Sequence, residues 1–282
     1  MLDLAGWGGG TEGGVVFAER VRWNGVVVQV TGPEPGPADD RPPVVLLHGG
    51  CHGAWCWRQW SSVLAAAGWR TYAPNWFGRF GSAPVADALG RSLRSVADAG
   101  GELSRVLDRL RRPAVLIGHS MGGFACLDWA CRHGNVAALV LVAPVVPRGF
   151  GAEPIPVRPR PDRLWRPPDV STATSMFFDH LDLDDDAGRA TARAWAGTLV
   201  GESPVAVLDA VRFRLPVDVD PLRCPVRIVA GERDPLVPVS ALRELADHVG
   251  AHLNVLDCGH GIPLLPGTAA AEATAAWLNE QC

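Results

Sequence analysis

The stretch AVLIGHSMGGF, residues 114–124, is the most informative part of this chain. Its first half, AVLIG, is a short apolar run typical of a buried strand, and a helical spacing of apolar residues begins at Met121. Between them, Gly118, Ser120 and Gly122 fit the pattern G-x-S-x-G. In a strand–turn–helix context this pattern predicts a sharp turn that exposes the serine hydroxyl. A glycine-rich turn without chemistry is the alternative, because the pattern also occurs by chance.

Strands and helices alternate on both sides of this stretch. Upstream, two β-type runs meet at Asn24-Gly25, a strong hairpin signal, and the apolar run VVLL precedes a helical spacing over residues 57–67. The strand RTYAP, a helix over residues 92–110, the stretch above and the strand ALVLVAP follow in that order. This alternation predicts an α/β protein with a mostly parallel, twisted sheet flanked by helices.

The alternation breaks in the middle of the chain and then resumes. Eight prolines fall between residues 144 and 168, which excludes a regular helix over most of that window. Two helical patterns follow. The alternation then resumes with the strands VRIVAG and HLNVLD, each of which is followed in sequence by a helix. We therefore expect a core of residues 1–146 and 217–282, with residues 147–216 inserted as a helical cap. Residues 1–14 are rich in glycine, and we expect them to be loosely held.

Composition argues against several classes of protein. A formal net charge of −4 gives no electrostatic basis for binding nucleic acid or an anionic membrane. All 26 basic residues are arginine, so no lysine can form a Schiff base. No apolar run reaches the roughly 18 residues that span a bilayer, and the N-terminus lacks the pattern of a secretory signal. Seven cysteines suggest reduced thiols and therefore a cytoplasmic protein. We also expect a monomer or homodimer that acts on a small molecule.

A serine hydroxyl is a weak nucleophile unless a base, itself oriented by a carboxylate, removes its proton. Asp234 follows the strand VRIVAG and His260 follows HLNVLD, so both lie at the carboxyl edge of the predicted sheet, as Ser120 does. Glu232 and Asp257 are competing carboxylates, the first near the same loop and the second at the end of a strand. The sequence thus offers a serine, a histidine and a carboxylate at one edge.

From about residue 15 to residue 277, the order of these motifs resembles that of the α/β-hydrolase superfamily. The resemblance implies the α/β-hydrolase fold, with Ser120 as nucleophile, His260 as general base and acid, and Asp234 as the carboxylate that orients it. It also implies an oxyanion hole formed by the backbone N–H groups of Gly50 and Met121. In this family the loop after the third strand begins with His-Gly, as His48-Gly49 does here. No metal or organic cofactor is implied.

The first loop, HGGCHGAWCW at residues 48–57, has the composition of a zinc site. Its histidines and cysteines lack the paired spacing of structural zinc ligands, which disfavours that alternative. The loop is most similar to those of plant methylesterases and hydroxynitrile lyases. The lyases carry threonine after the first histidine and a lysine after the catalytic one, whereas this chain has Gly49 and Gly261. The resemblance therefore favours an esterase.

The loop NWFGRFGS, residues 75–82, departs from the usual family pattern and carries large aromatic side chains. It is either a hydrophobic loop packed under the cap or a wall of the substrate pocket. The predicted pocket residues are spread over the first loop, this loop, the helix after Ser120 and the cap; they are Cys51, Trp55, Trp76, Phe77, Phe80, Phe124, Met176 and Phe177. So apolar a pocket predicts a bulky, uncharged substrate.

Three functions are compatible with these residues. The first is a serine hydrolase that cleaves a carboxylic ester or thioester of a bulky apolar small molecule through an acyl-enzyme on Ser120. The second is a lyase or cyclase of natural-product biosynthesis on the same scaffold, with His260 as base in an elimination or an intramolecular acyl transfer. The third is a non-catalytic ligand receptor, which the presence of a complete set of catalytic residues disfavours.

Overall fold

The computed structural model describes residues 18–34, 36, 40–85, 93–220 and 222–282. Within them, eight strands form one sheet in the order β1-β2-β4-β3-β5-β6-β7-β8. The strands are β1 (Ala18–Trp23), β2 (Val26–Thr31), β3 (Val44–Leu47), β4 (Thr71–Pro74), β5 (Ala114–His119), β6 (Val136–Val142), β7 (Val226–Gly231) and β8 (His252–Leu256). The pairs β1–β2 and β2–β4 are antiparallel and all the others are parallel, so the predicted α/β fold class is confirmed.

Eight α-helices occur in the described residues. They are α1 (Arg58–Ala66), α2 (Gly100–Leu110), α3 (Met121–His133), α4 (Val170–Phe177), α5 (Asp186–Ala196), α6 (Pro204–Arg212), α7 (Val239–Val249) and α8 (Ala269–Gln281). None of the helices in the described part of the chain has the length and hydropathy needed to cross a membrane. The β1–β2 hairpin turns at Asn24-Gly25, where φ is 49° and 85°, as this dipeptide predicts.

Period-two alternation in the strands divides the core between the two faces of the sheet. In β3, Val45 and Leu47 join the cluster that also contains residues of α2, α3 and α7. Val44 and Leu46 join the opposite cluster, which contains residues of α1 and α8. All four side chains are fully buried. The sheet is therefore covered on both sides, which explains why its parallel strands are continuously apolar in sequence.

Between β6 and β7 the chain forms α4, α5 and α6, and the proline-rich residues 147–168 contain no helix. The helix α4 is absent from the sequence prediction. Its sequence VSTATSMF is rich in residues of modest helix propensity, but Asp169 caps its first turn by accepting a hydrogen bond from Thr172 N at 2.8 Å.

Other predicted elements differ from the structure mainly at their ends. The helix predicted over residues 92–110 is instead a short 3₁₀ turn, Val96–Ala99, followed by α2, because the Ser95 side chain caps the turn by accepting from Ala97 N. Residue 92, the glycine-rich residues 1–14 and the start of the first predicted strand at residues 15–17 lie outside the described residues.

Candidate active site

Ser120 lies at the turn between β5 and α3, with φ of 54° and ψ of −121°. A non-glycine residue rarely adopts a positive φ, so the surrounding structure must hold this conformation. Ser120 N donates to Val142 O at 3.0 Å, and Ser120 O accepts from Val145 N at 3.0 Å. A Cβ on Gly122 would lie 2.4 Å from the carbonyl oxygens of both Leu47 and His48. Glycine at this position therefore lets α3 start directly beside the end of β3.

His260 and Asp234, which follow β8 and β7, meet at the same edge of the sheet. His260 Nδ1 lies 2.7 Å from Asp234 Oδ2, and both side chains are almost completely buried. The other carboxylate oxygen, Asp234 Oδ1, accepts from Leu236 N at 2.8 Å and from Val237 N at 3.1 Å. An ionised carboxylate can only accept hydrogen bonds, so His260 Nδ1 carries the proton and Nε2 keeps its lone pair.

His260 Nε2 is buried and has no hydrogen-bond partner among the described residues. His260 and Ser120 line the same cavity, so the histidine and the serine lie at a common site. His119 donates from Nε2 to the carbonyl oxygen of His260 at 2.9 Å. Burial, followed by the proximity of His260, lowers the pKa of His119 well below its usual value, so the His119 ring that holds this carbonyl group is uncharged.

The two competing carboxylates are directed elsewhere. Glu232 is exposed, and its backbone N–H pairs with Leu256 O. The Asp257 side chain is 87% exposed and forms an ion pair with Arg233. Of the three carboxylates considered from the sequence, the structure brings Asp234 against His260.

The first loop begins with a buried His48 that holds its neighbour's carbonyl group. His48 Nε2 accepts from Trp76 N at 3.3 Å, so Nδ1 carries the proton and donates to Gly49 O at 2.8 Å. Burial lowers the pKa of His48 well below its usual value and keeps the ring neutral. In a trans peptide the N–H points opposite to the carbonyl group, so fixing Gly49 O also fixes the direction of Gly50 N–H.

Gly50 and Met121 lie beside each other at the wall of the cavity that Ser120 lines. A Cβ on Gly50 would come within 2.7 Å of the Met121 sulfur, so the backbone of Gly50 lies close against the Met121 side chain. Met121 is the first residue of α3, and its backbone N–H therefore has no acceptor within the helix. The two predicted oxyanion donors thus lie next to the serine, Met121 at the start of α3 and Gly50 in the loop after β3.

The remaining histidine and cysteines of the first loop serve the loop itself. His52 Nδ1 bonds to Gly50 O at 2.7 Å, and burial lowers the pKa of His52 to about 4. Cys51 and Cys56 are buried free thiols whose pKa values burial raises strongly. The thiols are therefore protonated near neutral pH and poor metal ligands.

A cavity of about 360 Å³ opens above Ser120 and His260. Of the predicted pocket residues, Cys51, Met176 and Phe177 line it. Most of the remaining wall is aliphatic or aromatic; its other members are Val145, Ile155, Val157, Trp165, Thr172, Val207, Ala210, Val211, Phe213, Leu236 and Val237. Val207, Ala210 and Val211 form one face of α6. Their helical spacing is visible in the sequence, but the predicted pocket residues, most of them aromatic, did not include them.

Three predicted pocket residues of the loop at residues 75–82 lie outside this cavity. Trp76 stacks on His48 with ring centroids 4.8 Å apart. Phe77 packs under the guanidinium of Arg105, and the ring of Phe80 packs against Gly53. The aromatic wall expected of this loop is therefore not found at this cavity: Trp76 and Phe80 pack on His48 and Gly53, which is closer to the alternative of a packed hydrophobic loop.

Two further pocket predictions are also corrected. Trp55 stacks on His52, with ring centroids 5.3 Å apart, and is not among the residues that line the cavity. Phe124 is 1% exposed within the core cluster between α3 and the sheet. It lies one helical turn past Ser120, where the inner face of α3 packs on the strands rather than on the cavity.

Similarity to known proteins defines the class of protein to which this chain belongs. A model of the alpha/beta hydrolase family matches residues 44–277. The chain therefore belongs to the α/β-hydrolase family and is an enzyme of the hydrolase class. A solved esterase from Rhodococcus sp. superposes with a TM-score of 0.63, covering 95% of this chain and 99% of that one at 22% identity, a likeness of fold.

Curated relatives give the family context. A pimeloyl-[acyl-carrier protein] methyl ester esterase of Aromatoleum aromaticum is 30% identical over 78% of this chain and 92% of its own length. Methylesterase 7 of Arabidopsis thaliana is 34% identical, over 36% of this chain and 40% of its own. The family model confirms the resemblance to the superfamily. The plant match is confined to part of each chain, so the resemblance to the plant branch has only local support.

Proposed function

We propose that this enzyme is a serine esterase that cleaves a carboxylic ester or thioester of a bulky, apolar small molecule. One observation carries the proposal: Ser120 and a His260 already bonded to Asp234 face one apolar cavity, with Gly50 and Met121 beside them. The similarity to a methyl ester esterase and to a plant methylesterase also supports ester cleavage.

The proposed mechanism has two half-reactions. Ser120 Oγ attacks the carbonyl carbon while His260 Nε2 takes the hydroxyl proton, and the N–H groups of Gly50 and Met121 bind the developing oxyanion. His260 then gives its proton to the leaving alkoxide or thiolate, which leaves an acyl-enzyme. Water attacks that ester with His260 as base, and the acid departs as Ser120 regains its proton. Asp234 stabilises the imidazolium in both halves.

The proposed substrate class follows from the composition of the cavity. The only ionisable side chains lining it are the imidazole of His260 and the thiol of Cys51, whose pKa burial raises strongly, so a charged acyl group would lose its hydration without gaining a charged partner. A volume of about 360 Å³ falls within the usual range of small-molecule sites, about 300–1,000 Å³. We further propose that the inserted residues 147–216 act as the cap, because Trp165, Met176 and the α6 residues that line the cavity come from them.

A panel of p-nitrophenyl esters and matched thioesters, from acetyl to bulky acyl groups, tests the proposal. We expect turnover that rises with the size of the acyl group, equimolar acid and alcohol or thiol as products, and labelling of Ser120 by a fluorophosphonate. The Ser120→Ala variant should lose both labelling and turnover. An unsaturated or cyclic product without the free acid would contradict the proposal and favour elimination or intramolecular acyl transfer.

A further inference from the structure

A buried ion pair joins the inserted residues to the loop at residues 75–82, and both partners also hydrogen-bond to the first loop. Arg79 Nη2 lies 3.0 and 3.1 Å from the two carboxylate oxygens of Glu202, although 123 positions separate the residues in sequence. Their side chains are 6% and 4% exposed. Burial by itself would raise the pKa of Glu202, but the charge of Arg79 and several hydrogen bonds outweigh it and lower the pKa. The pair is therefore ionised at neutral pH.

Cys51, the residue after Gly50, is held by the insertion at both of its backbone groups. Its N–H donates to Glu202 Oε2 at 3.0 Å, and its carbonyl oxygen accepts from Val200 N at 2.9 Å. Its φ is 61°, in the left-handed region that non-glycine residues rarely adopt. Such a conformation persists only where surrounding contacts enforce it, and here the contacts come from residues 200–202.

Arg79 holds the following residue of the loop. Its Nη1 donates to His52 O at 3.3 Å, and the His52 ring bonds to Gly50 O at 2.7 Å. The peptide between Gly50 and Cys51 is thus bonded at its carbonyl end to His52 and at its N–H end to Glu202. These contacts fix the peptide that follows Gly50 N–H, the group proposed to bind the oxyanion, and His48 fixes the peptide that contains it.

We propose that Glu202 and Arg79 are positioning residues that keep Gly50 N–H aimed at the oxyanion and tie that aim to the inserted residues. The inference rests on the proposed function. The main chain of Glu202 also forms a two-bond bridge to Trp165, with N···O distances of 2.8 and 3.0 Å. Trp165 lines the cavity, so one residue fixes both a wall that contacts substrate and the loop that stabilises the transition state.

The chain contains a matched control for this pair. Arg94 and Glu102 form a second ion pair, at 2.7 Å, in which Glu102 is 1% exposed. Glu102 also accepts a backbone N–H, that of Phe77, at 2.8 Å. Each pair thus joins an arginine to a buried glutamate that accepts a loop N–H. Glu202 accepts one more, that of Ser203 at 2.9 Å, and the N–H that Glu102 accepts belongs to a residue outside the cavity lining. Loss of either pair should lower stability, and only loss of the Arg79–Glu202 pair should affect the reaction.

The test compares Arg79→Met/Glu202→Met with Arg94→Met/Glu102→Met, since replacing both partners by apolar residues avoids a lone buried charge. For the first variant we expect kcat on a p-nitrophenyl ester to fall about 10- to 100-fold with KM changed less than about 3-fold, below the 10²–10³ of a deleted donor. For the control we expect kcat near that of the wild type. Tm is measured for both.

Equal kcat losses in the two variants, or a kcat near wild type in a folded Arg79→Met/Glu202→Met, would overturn the positioning role. If a double variant does not fold, the single variants Glu202→Asp and Glu102→Asp are compared instead. Each keeps the negative charge and moves the carboxylate back by one methylene. The larger kcat loss must then lie with Glu202→Asp. Wild type and Ser120→Ala run in the same assay separate the two ideas, since an inactive wild type contradicts the proposed function itself.

Discussion

Asp234 holds His260 through one carboxylate oxygen, at 2.7 Å, while its other oxygen accepts two backbone N–H groups at 2.8 and 3.1 Å. The carboxylate cannot rotate without breaking these bonds, so the ring of His260 is fixed with its proton on Nδ1. Replacement of Asp234 by asparagine keeps the shape but offers an amide, which favours the wrong tautomer of the histidine.

For Asp234→Asn we therefore expect kcat to fall by about 10³- to 10⁴-fold with little change in KM, measured with a p-nitrophenyl ester at pH 7.5. The exposed carboxylates supply the controls, and Glu232→Gln and Asp257→Asn should both retain nearly full activity. A large loss in either control together with a mild loss in Asp234→Asn would reverse the assignment of the orienting acid.

The size of the cavity gives a second prediction. Ala210 lines it from α6, so Ala210→Phe should fill part of the roughly 360 Å³ available. We expect kcat/KM for the bulkiest esters to fall at least about 10-fold, because the large side chain overlaps the substrate, while p-nitrophenyl acetate is hydrolysed as before. Ala190→Phe, an exposed position on α5, is the control and should change neither value. Equal effects on small and bulky esters would mean that substrate lies elsewhere.

Close packing at the turn gives a third prediction. A methyl group on Gly122 would meet two carbonyl oxygens at 2.4 Å, both belonging to backbone that cannot rotate away. Gly122→Ala should therefore lower the free energy of unfolding by about 3 kcal/mol or prevent folding. Gly101→Ala, on α2 with no atom within 4 Å of the added carbon, should be neutral or stabilising by up to about 1 kcal/mol. Urea denaturation of both variants checks the difference.

Buried neutral histidines predict how stability depends on pH. Burial lowers the pKa values of His48 and His119 well below 6.5, and that of His52 to about 4. Below pH 6.5 the unfolded chain binds protons that the folded chain does not, so the free energy of unfolding should fall as the pH drops towards 4. The slope is at most about 1.4 kcal/mol per pH unit for each histidine.

Urea denaturation at pH 7, 6 and 5 measures that slope. His52→Gln should make it shallower, whereas His133→Gln removes an exposed imidazole and should leave it unchanged. A free energy of unfolding that is constant between pH 7 and pH 5 would show that these rings are protonated in the folded protein.

Local patterns in the sequence were sufficient for much of the fold and poor for the pocket. Strand runs such as VVLL and the turn around Ser120 have their own periodicity and glycine spacing, so their structures could be predicted. The helix α4 could not, because it depends on the Asp169 cap and on the packing of Phe177 in a cluster with Cys51, Phe178 and Leu199. Tertiary contacts override weak helix propensity there.

The aromatic loop at residues 75–82 illustrates a different limit. Composition identifies apolar side chains but not the direction in which a loop presents them, and Trp76 and Phe80 pack inward. The Arg79–Glu202 pair has no local signal at all, since its members are 123 positions apart. Residues of this kind become visible only when the folded chain brings them together.

Rapid mixing with a p-nitrophenyl ester tests whether Ser120 forms a covalent acyl-enzyme in this cavity. We expect a burst of nitrophenolate close to one equivalent per chain, and intact mass spectrometry of the quenched enzyme should find one acyl group, carried on Ser120. Ser120→Ala should give neither. Steady turnover with no adduct in the wild type, or undiminished turnover by Ser120→Ala, would show that the reaction does not pass through an acyl-enzyme on Ser120.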